Sequence, residues 1–241
     1  IYNDELAWVV IYMDNAEVIK NNSGVLQPGS TFQMRKKLDP LQLDYKRIDF
    51  DTKWILNGSK SIIYRESINS TLSIALDKER QINDKGKVVI TDNQTSGKGT
   101  HGKQWISTPY KDLTFSIILG NNNNFGQKLI DECCFAMVHV LSSYGIKARV
   151  KSPNDVYINN KKIVGILLSN IQSRGLENKT YQALSIGINV NSAIDIKTID
   201  MGAKVSSTSV FLEVGKEIDR EALLKLIIEN IDRAIQKQEY L

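Results

Sequence analysis

Cysteine is nearly missing from this 241-residue chain, which has only Cys133 and Cys134, adjacent in sequence. Neighbouring thiols cannot staple distant segments, and no CxxC or Cys/His spacing suggests a metal site. They are expected to be reduced thiols on a helix, in a reducing, cytoplasmic setting. No apolar run reaches the ~18 residues of a membrane span, so a membrane is not expected as a partner. The first residues, IYNDELAWVVIYMDN, lack a basic stretch ahead of the apolar one and do not read as a signal peptide. Neither charge sign dominates: 31 Lys+Arg face 27 Asp+Glu, a net of +4. That balance allows anionic ligands, but it is too mild for a DNA-binding stripe, and no helix-turn-helix pattern is found. DNA is therefore not an expected partner. No internal repeat occurs, and Asn121 to Asn124 read as a polar loop. What is present is ordinary for a globular domain: 41% hydrophobic and 24% charged residues, in a chain long enough to bury a core.

Residues 1–60 differ in texture from the rest. LAWVVIYM could be a buried strand, NNSGVLQPGS is turn chemistry, and KKLDPLQLDYKRIDFDTK is charged and irregular. This part is expected to be an extension or small appended domain of unknown role, with the main domain over 61–241. From residue 61 the pattern predicts strands at SIIYRES, KVVIT, LTFSIIL, IKARV, DVYIN, KIVGILLSN and YQALSIGINV. Helices are predicted at NSTLSIALDKER, at GQKLIDECCFAMVHVLSSYG, at STSVFLEVGKEI and at DREALLKLIIENIDRAIQKQ, the last capped by Asp219. The second should bury Leu129, Cys133, Ala136, Met137, Val140 and Tyr144 and stop at Gly145. Helices early and late with strands between suggest an α+β domain, a mixed β-sheet with helices packed on one face.

The stretch TDNQTSGKGTHGKQWIS, residues 91–107, follows a strand. Its glycines let the backbone approach a ligand closely, and successive N–H groups can cup an anion. Lys98, Lys103 and His101 add positive charge, and Trp105 adds an aromatic wall. It is neither a Walker A loop nor a dinucleotide fingerprint, because an extended stretch rather than a helix follows. Taken alone, it is equally readable as a surface hairpin. A second segment, VKSPNDVYINNKKIVGILL, sets polar residues and two lysines just before an apolar strand. A lysine opening a buried strand can meet a carboxylate or phosphate in low dielectric, and Gly165 leaves space beside it. In the third segment, LSIGINVN, Gly187 and Asn189 share one face of a strand.

These segments resemble biotin protein ligases. QTSGKGTHGKQW is similar to the family's Q-T-A-G-R-G-R-x-G-R-x-W loop. KSPNDVYINNKKIVGILL resembles K-W-P-N-D-[LV]-x-[LV]-x-x-[RK]-K-[IL]-[AV]-G-I-L-x-E, and IGINVN resembles G-I-G-[IL]-N-[VM]-N. TSVFLEVGKEIDREALLKLII resembles the T-S-L-x-x-x-x-G-x-x-x-D-R-x-x-L-L helices, and RESINST matches the D-S-T-N segment more loosely. The matches fall in family order over about residues 62–237.

The resemblance implies a class II synthetase-like catalytic domain that makes biotinyl-5′-AMP from biotin and ATP with Mg²⁺. It then passes biotin to a lysine of a biotin carboxyl carrier domain of a carboxylase. Carried over by position, Lys162 is the central catalytic cation at the biotin carboxylate, with Lys98 and Lys151 assisting. The biotin pocket is expected from Ser67, Ile68, Asn69, Gln94, Gly97, Lys98, Trp105, Lys162, Gly165 and Gly187. The nucleotide is expected at Gly99, Thr100, His101, Gly102, Lys103, Trp105, Lys151, Asn154 and Asn189, with Asp155 as support for Mg²⁺. Lysines replace the family arginines at Lys98 and Lys103, keeping charge but losing the bidentate fork. Thr100 stands where many members have arginine, Ile68 where threonine is usual, Ser152 where tryptophan is, and Ser185 at the earlier glycine of the G-I-G strand. No winged helix of the bifunctional members is recognised, and a homodimer is allowed but not indicated. The alternatives are a lipoyl or octanoyl ligase on the same fold, or a non-catalytic biotin-binding homologue.

Overall fold

The computed structural model describes residues 42–56, 59–121, 125–172, 179–193, 198–200 and 203–239. Their centre is a seven-stranded mixed sheet in the order β1-β2-β5-β9-β8-β7-β6. The strands are β1 (Ile62–Ile68), β2 (Val88–Gln94), β5 (Leu113–Asn121), β6 (Arg149–Lys151), β7 (Asp155–Ile158), β8 (Lys161–Gln172) and β9 (Thr180–Ile188). Only β1 and β2 run parallel; the other neighbours are antiparallel. Two small hairpins stand apart, β3 (Gly97–Lys98) with β4 (Gln104–Trp105), and β10 (Thr198–Asp200) with β11 (Ala203–Val205).

Strand alternation sorts side chains onto the two faces. Val88, Ile90, Ile117, Leu184 and Ile186 face the main core, whereas Val89 and Ala183 face a smaller cluster behind. The main core is closed by α3 (Gln127–Ser142) and α5 (Arg220–Glu239). In α5 the residues Leu223, Leu224, Ile227, Ile228, Ile231 and Ile235 are all fully buried, the stripe expected of a helix packed along one side. Asp219 accepts the Ala222 N–H at 3.0 Å, the expected start signal. A five-residue helix, α4 (Val210–Val214), precedes it, capped by Ser209 and ended by left-handed Gly215. The long helices therefore share one face, as expected.

Two differences have local causes. The single helix expected over NSTLSIALDKER is two, α1 (Thr71–Ala75) and α2 (Lys78–Asn83), packed behind β2, β5 and β9. Asp77 breaks it by accepting the Arg80 N–H and starting a new helix. The α3 face also holds Cys134 and Leu141, while Ala136 and Tyr144 are only partly buried.

The main core begins upstream of residue 60, where the sequence suggests a boundary. Leu43, Ile48, Phe50 and Ile55 are at most 4% exposed and belong to it. The segment 42–56 has little regular structure, so its N–H groups need other acceptors. Acidic residues of α5 provide them: Glu221 takes Asp44, Glu229 takes Asp51, and Asp232 takes Lys53, Trp54 and Ile55. LAWVVIYM and NNSGVLQPGS lie outside the described residues.

Candidate functional site

The glycine-rich loop folds as a tight hairpin against one face of the sheet. Gly97 pairs with Trp105 and Lys98 with Gln104. The Gly99 N–H donates to the Lys103 carbonyl at 2.8 Å, and His101 and Gly102 make the turn with φ of 56° and 75°. The base of the hairpin rests on β1, where the Ile68 and Asn69 carbonyls accept the Thr95 and Ser96 N–H groups.

Register aligns Thr114, Gly187 and Gly165 in one row across β5, β9 and β8, and Ser116, Ser185 and Leu167 in the next. The two glycines leave a bare floor on which the Trp105 indole lies. A β-carbon at Gly187 would overlap the ring atoms Cε2, Nε1 and Cζ2, and one at Gly165 would meet Cζ3 at 2.8 Å. Gly187→Ala is therefore expected to push the indole off the floor. Tryptophan fluorescence of the variant against the unaltered protein checks this; an unchanged emission would refute the packing.

Lys162 stands at one end of this floor. Its Nζ lies 2.6 Å from Asp155 Oδ1 and 5.5 Å from the Trp105 ring centroid. Its backbone is held on the other side, with its N–H donating to Ser206 and its carbonyl accepting from Thr208, both at 2.9 Å. Cys134 lies within electrostatic range of this pair, and burial pushes its thiol up to about 12, so it stays protonated. Neither cysteine suits nucleophilic chemistry, because both are buried thiols.

A pocket of about 460 Å³, counting its open mouth, runs from Lys162 along β9 and under the hairpin. Of the residues expected from sequence, Gln94, Lys98, Gly99, Thr100 and Trp105 line it from the hairpin side, and Asn154, Lys162, Gly165 and Gly187 from the sheet. His101, Gly102 and Lys103 line a neighbouring, more open hollow between the hairpin and Leu72, Leu167 and Ser169, beside Lys98 and Thr100. Gly97 packs tightly under the hairpin, where a β-carbon would overlap the Trp105 carbonyl and approach Gln94 Nε2 at 2.6 Å.

Other expected residues do not line the pocket. Ser67 accepts the Asn93 amide at the surface, Asn69 accepts the Thr95 hydroxyl, and Ile68 packs with the smaller apolar cluster. The pocket is lined instead by Ser70 and Thr71, so the D-S-T-N resemblance belongs three residues further along, on Asn69-Ser70-Thr71. The hydroxyl that Ile68 was expected to lack is thus present on Thr71. The signal was legible: Ser70 is the N-cap residue of α1, and Asn69-Ser70-Thr71 opens the predicted helix. Lys151 sits with Nζ 4.3 Å from the Tyr157 ring centroid, outside the pocket lining. Asn189 is 5% exposed, and its amide donates to the Thr208 carbonyl at 2.9 Å, bracing the segment that holds Lys162. Asn154 donates its amide to the Ile166 carbonyl at 2.7 Å. Asp155 is engaged by Lys162.

Sequence reasoning singled out Gln94 and Ser185 but passed over Thr71 and Ser116, with which they form the polar base of the pocket. Gln94 Oε1 accepts both the N–H and the hydroxyl of Thr71, Ser116 donates to Thr71 Oγ1 at 2.8 Å, and Ser185 Oγ lies 2.7 Å from Ser116 Oγ. Only the strand register brings these four together.

The mixed sheet and the glycine-floored pocket under a cationic hairpin define the α+β catalytic-domain fold of biotin ligases. The chain belongs to the biotin/lipoate A/B protein ligase family, whose sequence profile matches residues 64–191. It is 30% identical over 194 residues to the bifunctional ligase/repressor BirA of Bacillus spizizenii, covering 78% of this chain and 58% of that protein. It is 30% identical over 146 residues to the biotin–[acetyl-CoA-carboxylase] ligase of Paracoccus denitrificans, covering 58% of each. Among solved structures, the biotin protein ligase of Aquifex aeolicus in complex with biotin and ATP superimposes with a TM-score of 0.59 at 26% identity. That match covers 74% of this chain and 72% of that one. The chain thus spans under two thirds of the length of these two curated relatives. Among the described residues no helix is long and apolar enough to cross a membrane.

Proposed function

We propose that this domain is the catalytic part of a biotin protein ligase. It condenses biotin with ATP to biotinyl-5′-AMP and pyrophosphate, then transfers biotin to a lysine of a biotin carboxyl carrier domain. The observation that carries this reading is the polarity of the pocket. One end of the floor holds Lys162, and the other holds uncharged hydrogen-bonding groups, with glycines and an indole between, while Lys98 lines the pocket from the hairpin. A carboxylic acid with a neutral polar head and an apolar linker fits that order.

In the first step a carboxylate oxygen attacks the α-phosphorus, and the bond to the bridging oxygen of the β-phosphate breaks. Two anionic partners must meet, so fixed cations lower the barrier by opposing charge before and during transfer. Lys162 is proposed to hold the carboxylate, with Lys98 assisting from the hairpin. Lys103, His101 and the N–H groups around Gly99 and Gly102 are proposed to meet the nucleotide from the neighbouring hollow, and Lys151 to approach its phosphates from β6. In the second step the neutral amine of the carrier lysine attacks the acyl carbon and AMP leaves.

Mg²⁺ travels with the nucleotide in this reading. Among the described residues no group of three or more His, Cys, Asp or Glu could hold a metal. A magnesium ion on phosphates and water needs one or two protein oxygens, which Asp155 and Asn154 beside the pocket can supply. Its chemistry there is to neutralise phosphate charge.

The test is ATP–pyrophosphate exchange with biotin, lipoate and octanoate in parallel. Exchange supported by biotin alone is expected. Exchange with lipoate or octanoate in place of biotin would assign the other branch of the family. Calorimetric biotin binding without exchange would mean a binding protein.

A further inference from the structure

We infer that Ser185 is a specificity-determining residue that presents a hydrogen-bond acceptor to an N–H donor on the ligand's head group. The inference rests on the biotin reading above and goes beyond it by assigning the sense of one hydrogen bond. The argument begins with the four-member chain at the base of the pocket. The backbone N–H of Thr71 can only donate, so the Gln94 atom facing it at 2.9 Å is the amide oxygen. The Thr71 hydroxyl spends its single proton on that same oxygen. Thr71 Oγ1 must therefore accept from Ser116, whose own proton is now spent. The short Ser116–Ser185 contact then has one possible sense, with Ser185 donating and Ser116 accepting. Ser116 and Thr71 are at most 2% exposed, so water does not compete for the order of this chain.

The consequence lies at its open end. Ser185 lines the pocket and has committed its proton inward. Toward the ligand it offers only lone pairs. A donor such as an amide-type N–H satisfies them; a hydrocarbon or dithiolane head does not. Two further groups complete the polar end. Ser70 Oγ is buried with no partner among the described residues, although an N-cap serine ordinarily bonds its own helix. The Gln94 amide nitrogen remains a donor. One acceptor-only hydroxyl, one uncommitted hydroxyl and one NH₂ complement a head group carrying both N–H and C=O. Ser185 lies one face repeat, about 7 Å, along β9 from Gly187, on the glycine floor that also carries Lys162. The resembled strand motif has glycine at this position and could not make the contact.

The experiment measures KM and kcat in biotin-dependent ATP–pyrophosphate exchange for the wild type, Ser185→Ala and Ser185→Gly. Biotin is compared with an analogue methylated on a ureido nitrogen, with octanoate as the N–H-free acid and calorimetry as a second readout. Loss of one neutral hydrogen bond is expected to raise KM for biotin about tenfold in both variants, with most of the change in KM rather than kcat. Methylation should weaken the wild type and have little added effect in Ser185→Ala. Ser185→Ala removes a donor and leaves none unpaired on Ser116, so folding is expected to persist. If the wild type uses biotin and both variants match or better its KM, Ser185 merely fills space, and the proposal is overturned while the biotin reading stands. If the wild type neither exchanges with nor binds biotin, the biotin reading fails and takes the proposal with it.

Discussion

Lys162→Ala is expected to lower biotin-dependent ATP–pyrophosphate exchange by about 10²–10³-fold, the usual cost of removing one preorganised group that stabilises developing charge. The site concentrates that role in this residue. Its backbone is tied to Ser206 and Thr208, and its ammonium is oriented by Asp155 at 2.6 Å, so little reorganisation is needed when a carboxylate arrives. Fixing the cation in advance lets it favour the transition state rather than substrate binding alone. The side chains of Lys162 and Asp155 are 23% and 20% exposed, but Asp155 Oδ1 is itself buried, so stranding it is expected to lower the melting temperature without abolishing the fold. Exchange kinetics and a melting curve on the same preparation check both halves. Full exchange in Lys162→Ala would remove the lysine from the chemistry. Collapse of the fold would show that the pair is structural. Asp155→Asn provides a contrast: it keeps the cation but loosens its hold, and a smaller loss is expected.

Arg220→Ala is expected to destabilise the domain by roughly 3–5 kcal/mol, the cost of stranding one member of a buried ion pair. Against the ~5–15 kcal/mol typical of a domain, that is a large fraction. Arg220 opens α5 and donates to Asp92 Oδ1 at 2.7 Å and to the Asp112 carbonyl at 3.3 Å. The two side chains are 7% and 1% exposed. Asp92 also accepts the Tyr64 hydroxyl at 2.7 Å and the Leu43 N–H at 3.0 Å. One carboxylate thus joins the upstream segment, β1, β2 and α5, two residues before Gln94. Urea unfolding of Arg220→Ala, compared with the double variant Asp92→Asn, Arg220→Met, which removes both charges but keeps an acceptor for Tyr64 and Leu43, separates the cost of a stranded charge from that of lost packing. The double variant should be the more stable. Equal losses in both would assign the effect to packing.

Much of the architecture was legible because periodicity reports burial. Alternation in KVVIT and in YQALSIGINV, and the apolar stripe of α5, each describe a local surface that tertiary packing then used. Asp219 could be read as a cap because capping is local chemistry. The helix break at Asp77 was missed because a capping aspartate inside a periodic run looks like an exposed helix residue. That residues 42–56 join the main core was not legible, for the opposite reason. Residues 42–56 show no periodicity, yet they bury four apolar side chains by borrowing acceptors from a helix about 180 residues away.

By itself the sequence determined the family, the strand and helix types, and the residues of the cationic hairpin and of the Lys162–Gly165 segment. These are properties of short contiguous stretches. Only the tertiary structure decided that Ser70 and Thr71, rather than Ser67 and Ile68, line the pocket. It also decided that Lys162 is paired with Asp155, that Asn189 braces a neighbouring segment, and that Thr71, Ser116 and Ser185 form one chain. The physical reason is that strand register sets which side chains become neighbours, and register depends on partners far away in sequence.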